Sequence, residues 1–162
     1  MRTALYPGSF DPITLGHLNI IRRASGIFDK LVVCIAVNSE KRTMFSFEER
    51  VDFLERSCSR FGNVEIVATE DLVAEYCRKQ GINVLIKGLR AVSDFEYEFQ
   101  IALINKKLNP ELDTIFLTAS EKYTYLSSTV VKEMARYGAD ISEFVPLEIK
   151  KDVLELAQIR RK

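Results

Sequence analysis

A surplus of charge of one sign, paired cysteines and long apolar runs are all missing from this sequence of 162 residues. Lysine plus arginine number 23 and aspartate plus glutamate 23. No global basic field therefore points to nucleic acid, and any anion site must be a local cluster. Cys34, Cys58 and Cys77 have no Cys-x-x-Cys spacing and lie inside apolar patterns. That excludes a disulfide frame or a cysteine metal site and reads as reduced core thiols of a cytosolic protein. The N-terminus has no signal-peptide apolar region, and no apolar run approaches membrane-spanning length. The expectation is a cytoplasmic protein that does not enter a membrane. Internal repeats, low-complexity stretches and an interdomain linker are also absent, so the expectation is one domain, 1–162.

What is present concentrates near the start. Tyr6-Pro7-Gly8-Ser9-Phe10-Asp11-Pro12-Ile13-Thr14-Leu15-Gly16-His17 holds two glycines, two prolines and the only histidine of the chain. Before it, Thr3 to Tyr6 reads as a strand. After it, Leu18, Ile21, Ala24 and Phe28 recur at helical spacing. Glycine lets backbone approach a bulky anion, proline stiffens the turn, and the following helix aims its free N–H groups at the loop. A phosphate site is the expectation. The loop is neither the Gly-x-Gly-x-x-Gly dinucleotide fingerprint nor a Walker loop ending in Gly-Lys-Ser/Thr.

Strand and helix then alternate. The continuous run Leu31 to Val37 reads as a strand covered on both faces, and Ser46-Phe47-Glu48-Glu49 as a capping box opening a helix. Further strands are expected at Val64–Val67, Val84–Ile86 and Thr114–Leu117, with a short helix from Leu72 to Lys79. Ser93-Asp94-Phe95-Glu96 reads as a second capping box, opening a helix that carries Phe95, Phe99, Ala102 and Leu103 inward. Ser127-Ser128-Thr129 caps another helix, and a last helix runs from about Pro146. Five alternations make an α/β fold: a doubly wound, Rossmann-like five-stranded parallel sheet with helices on both faces. Ligands of such folds sit beyond the C-terminal strand ends. Ser9 to His17, Lys41, Lys87 to Arg90 and Tyr123 to Thr129 all fall there.

Thr14-Leu15-Gly16-His17 resembles the His/Thr-x-Gly-His signature of the nucleotidyltransferase superfamily. Together with Pro7 to Pro12, Met44-Phe45, Glu48-Glu49-Arg50, Lys87-Gly88-Leu89-Arg90, Asp94 to Glu98 and Ser127 to Glu133, it makes the chain similar to bacterial phosphopantetheine adenylyltransferases. The resemblance implies transfer of AMP from ATP to 4′-phosphopantetheine with Mg2+ present, giving dephospho-coenzyme A and pyrophosphate. It also implies a homohexamer.

It implies roles as well. His17 would stabilise the transition state at the α-phosphate, supported by Thr14, Lys41 and Arg90. Ser9, Phe10, Gly88, Leu89, Arg90, Glu98, Tyr123, Thr124, Tyr125, Leu126, Ser127, Ser128 and Thr129 would join His17 in holding ATP. Ser9, Lys41, Val73 and Lys87 would hold the acceptor, and magnesium would ride on the ATP phosphates rather than on protein ligands. By themselves, Lys41 and Arg42 read more readily as solvated loop charges, and Glu98 as a dipole-favoured surface carboxylate. Ser9 stands where threonine is frequent in the family and Lys87 where arginine is, which keeps hydroxyl and charge but loses the bidentate fork.

The chemistry is consistent with these residues. A phosphate monoester with its second pKa near about 6 is largely ionised at neutral pH, so no general base is required. Positioning and positive charge at the α-phosphate are what the protein must supply. The rival readings are a sister nucleotidyltransferase acting on nicotinamide mononucleotide or glycerol 3-phosphate, and a nucleotide sensor without catalysis.

Overall fold

The computed structural model describes residues 1–36 and 42–160. Its elements alternate in sequence: β1 (Thr3–Gly8), α1 (Leu15–Ile27), β2 (Lys30–Ala36), α2 (Phe47–Cys58), β3 (Val64–Thr69) and α3 (Val73–Gln80). Then come β4 (Val84–Leu89), α4 (Val92–Leu108), β5 (Asp113–Thr118), α5 (Ser128–Arg136) and α6 (Leu147–Ile159). The five strands form one parallel sheet in the order β3-β2-β1-β4-β5. The chain winds outward one way from β1 to β3, then returns to β4 on the other side of β1. That reversal opens a crevice at the C-terminal ends of β1 and β4, where a ligand fits between diverging loops.

Alternation along β1 sorts the core. Ala4 and Tyr6 face one way, into a cluster with Leu18, Ile21 and Ala24 of α1, Phe53 and Leu54 of α2, and residues of α5 and α6. Leu5 faces the other way, with Cys34, Leu85, Leu112 and the α3 residues Ala74 and Cys77. Burial on both sides explains the unbroken apolar runs of β1 and β2. All three cysteines are free and buried.

Local signals at helix starts were legible with one exception. Ser46 Oγ accepts the Glu49 N–H while Glu49 Oε2 accepts the Ser46 N–H at 2.7 Å, the expected capping box. Ser127 caps α5 through the Val130 N–H. The second capping box does not form: α4 starts two residues earlier, with Ala91 at its N-cap and no side-chain cap. On that first turn Asp94 pairs with Arg90, accepting from its backbone N–H and its guanidinium. The inward face assigned to that helix is also corrected. Phe95, Phe99 and Leu103 are 41%, 46% and 56% exposed, with Val92 and Ile104 exposed beside them. Apolar residues occur all round α4, so one side packs on the sheet and the rest faces outward.

Candidate active site

The site begins where β1 gives way to α1. Thr14 and His17 form a reciprocal cap: Thr14 Oγ1 accepts the His17 N–H, and the Thr14 N–H donates to His17 Nδ1 at 3.1 Å. Thr14 Oγ1 also lies 3.2 Å from Nδ1. The three-residue spacing between threonine and histidine is what allows both bonds within one helical turn. Because a backbone N–H can only donate, Nδ1 is held as an acceptor, and the neutral ring carries its proton on Nε2. Burial, with the Arg90 charge as a smaller influence, lowers the His17 pKa from 6.5 to about 4. At neutral pH His17 is therefore an uncharged Nε2–H donor.

The loop before it is held tightly. Phe10 sits at φ 46°, the one non-glycine residue with positive φ among the described residues. Its buried ring is wedged between Tyr6 and His17, with centroids 5.5 and 5.2 Å away. Gly8 leaves space for that ring: a Cβ there would meet its edge at 3.0 Å. Asp11, 4% exposed, accepts from the backbone N–H groups of Met44 and Phe45 and from Lys132 Nζ at 2.7 Å. Ser128 Oγ donates to Pro12 O, and Arg50 donates to Ser9 O. Loops after β1 and β2 and the start of α5 are thus locked together.

A cavity of about 570 Å³ opens above this loop. Of the expected residues it brings together Ser9, Thr14, His17, Lys87, Gly88, Arg90, Glu98, Tyr123, Leu126, Ser127 and Ser128. Phe10 stands behind the wall as core. Leu89 ends β4 without lining the cavity, and Thr124, Tyr125 and Thr129 are exposed outside the lining. Val73 packs against the second core cluster, away from the cavity lining. Lys41 lies outside the described residues.

Among the described residues, the two cations of the lining, Lys87 and Arg90, meet carboxylates. Lys87 Nζ stands 3.1 Å from Glu98 Oε2, an ionic contact that leaves this buried oxygen without an aligned hydrogen bond. Arg90 pairs with Asp94 and donates to Leu126 O at 3.0 Å, tying the loop after β4 to the start of α5. A Cβ on Gly88 would lie 3.2 Å from Ile20, so glycine keeps the strand close to α1 at the cavity floor. Tyr6, Asp94 and Tyr97 also line the space and had been given no role from the sequence. Asp11, Arg50 and Lys132 are within the recognised motifs, but only their burial and partners reveal the bracing.

Residues 5–134 match the cytidylyltransferase-like family model. A phosphopantetheine adenylyltransferase of Caldanaerobacter subterraneus subsp. tengcongensis is 52% identical over 155 residues, 96% of this chain and 97% of that protein. The chain belongs to the phosphopantetheine adenylyltransferase family. Another phosphopantetheine adenylyltransferase, from Clostridium perfringens, is 47% identical over 96% of this chain and 94% of its own length. Among solved structures, a putative nicotinate-nucleotide adenylyltransferase of Vibrio parahaemolyticus superposes with a TM-score of 0.70 at 17% identity, covering 100% of this chain and 97% of that one. Plasmodium falciparum nicotinic acid mononucleotide adenylyltransferase complexed with NaAD gives 0.68 at 15%, covering 98% and 96%. At such identities these two establish the shared fold, and the adenylyltransferase family rests on the closer sequences.

Proposed function

We propose that the protein transfers AMP from ATP to 4′-phosphopantetheine, yielding dephospho-coenzyme A and pyrophosphate. The observation that carries the choice of acceptor is the 52% identity maintained over 96% of the chain with a phosphopantetheine adenylyltransferase. The cavity supports the reaction type. An acceptor phosphate oxygen attacks the α-phosphorus of ATP, a new P–O bond forms, and the bond to the bridging oxygen of pyrophosphate breaks. The acceptor is already ionised near neutral pH, so the protein needs to orient and to stabilise charge rather than remove a proton. His17 Nε2–H is the preorganised donor for the α-phosphate oxygen, and Thr14 fixes its tautomer. The helix N-termini at Thr14 and Ser127 add N–H groups and dipole to the same mouth.

Arg90 is the cation for the outer phosphates, while Lys87 and Ser9, with Lys41, receive the acceptor phosphate. Lys87 must partly exchange Glu98 for that phosphate, so Glu98 moderates the affinity. No group of three or more His, Cys, Asp or Glu residues among the described residues is arranged to hold a metal ion. The reading has Mg2+ carried by the triphosphate, the usual habit of an ion that keeps its waters. When bound there, magnesium neutralises charge on the leaving pyrophosphate. The reading includes a cytoplasmic location, in keeping with three buried thiols; among the described residues no helix is long and apolar enough to cross a membrane. It also includes a homohexamer, supported by the exposed apolar side chains of α4. The deciding assay is pyrophosphate release from ATP with 4′-phosphopantetheine, against pantetheine lacking the phosphate and nicotinamide mononucleotide. Only the first should turn over well. Equal rates with dephosphorylated pantetheine, or faster release with the mononucleotide, would overturn the assignment.

A further inference from the structure

Charges on the cavity lining cancel among the described residues: Lys87 faces Glu98, Arg90 faces Asp94, and His17 is neutral. A polyphosphate needs more than that. Arg50, on the first turn of α2, supplies an unmatched charge from behind the wall. It is 5% exposed, its Nη1 donates to Ser9 O at 2.9 Å, and its Nε is buried with no hydrogen-bond partner. No carboxylate lies within ion-pair distance of it among the described residues, although exposed Glu48 on the same turn feels its charge. A buried guanidinium held by one carbonyl is costly unless another anion compensates it. The carbonyl it holds belongs to Ser9, which lines the cavity and precedes the left-handed Phe10.

We propose that Arg50 is a positioning residue for the polyphosphate, pinning Ser9 and lending the anion loop a positive charge that no carboxylate among the described residues pairs with. The inference rests on the nucleotide-site reading of the cavity, and it extends that reading to a side chain that reaches the lining only from behind, through Ser9 O. A purely structural latch would lose stability on mutation without altering anion affinity in the folded protein. Inorganic tripolyphosphate is the probe, measured by calorimetry on the full chain, with a thermal melt of each variant. Arg50→Met should weaken binding about 10- to 100-fold, the range for a hydrogen bond to a charged group. Arg50→Lys keeps the charge and should recover most of that loss even though its melting temperature also falls. Arg50→Gln replaces methionine if the latter does not fold. Wild-type affinity in Arg50→Met, lysine no better than methionine, or no tripolyphosphate binding by the wild type would each overturn the proposal. A wild type that binds tripolyphosphate yet releases no pyrophosphate with 4′-phosphopantetheine would instead refute the acceptor, and the affinities of the variants would still test Arg50.

Discussion

The protonation state of His17 gives the sharpest test of the site, because it is the only histidine in the sequence and its ring signals are unambiguous. Its pKa falls from 6.5 to about 4, about 2.5 units, which corresponds to about 3 kcal/mol of preference for the neutral ring in the folded protein. At pH 7 about one molecule in a thousand carries the imidazolium. Since the folded value lies below the unfolded one, the unfolded chain binds the proton first. The stabilising contribution is therefore complete above about pH 6.5 and is lost as the pH falls toward 4. Two-dimensional ¹H–¹⁵N spectra of the imidazole should show the Nε2–H tautomer and no titration between pH 8 and 5.5. The acid limb of turnover should then follow the acceptor phosphate, near about 6, and not the histidine. His17→Ala should lower turnover about 100- to 1,000-fold, as loss of one preorganised donor does, with a smaller effect on ATP binding. It should also flatten the stability loss between pH 6.5 and 4. A ring midpoint at 6 or above, or a proton on Nδ1, would refute the argument from burial and from the Thr14 N–H.

Gly8→Ala places a methyl 3.0 Å from the wedged Phe10 ring and should cost about 1–3 kcal/mol as overpacking, with turnover falling because the ring abuts His17. Gly26→Ala, which meets nothing within 4 Å, is the control and should leave turnover intact; equal melting temperatures and rates for the two would contradict the packing account. Leu103→Glu should dissociate the proposed hexamer, read by light scattering at micromolar concentration, because Leu103 is 56% exposed on α4. A wild-type monomer across that range would remove the hexamer and leave the chemistry untouched.

The sequence by itself determined the alternation of elements, since periods of apolar residues and short polar loops are properties of neighbours along the chain. It also determined the Thr14–His17 relation, because three residues along a helix start are enough to bring the side chain of one to the backbone of the other. Lys87, Gly88, Arg90 and Ser127 were found at strand and helix ends for the same reason, and the sheet then gathered them. The exposed face of α4 was misread because an apolar residue at helical spacing looks the same whether it meets a sheet or faces outward. Ser93 to Glu96 was misread because the helix already begins after Ala91, which puts Ser93 inside its first turn and not at the cap. Only the tertiary structure decided that Lys87 faces Glu98, that Asp11 receives Lys132 from 121 residues away, and that Arg50 lies buried beneath Ser9. Those are pairings across elements, where charge and burial depend on which surfaces the fold brings into contact, and no local spacing in the chain encodes them.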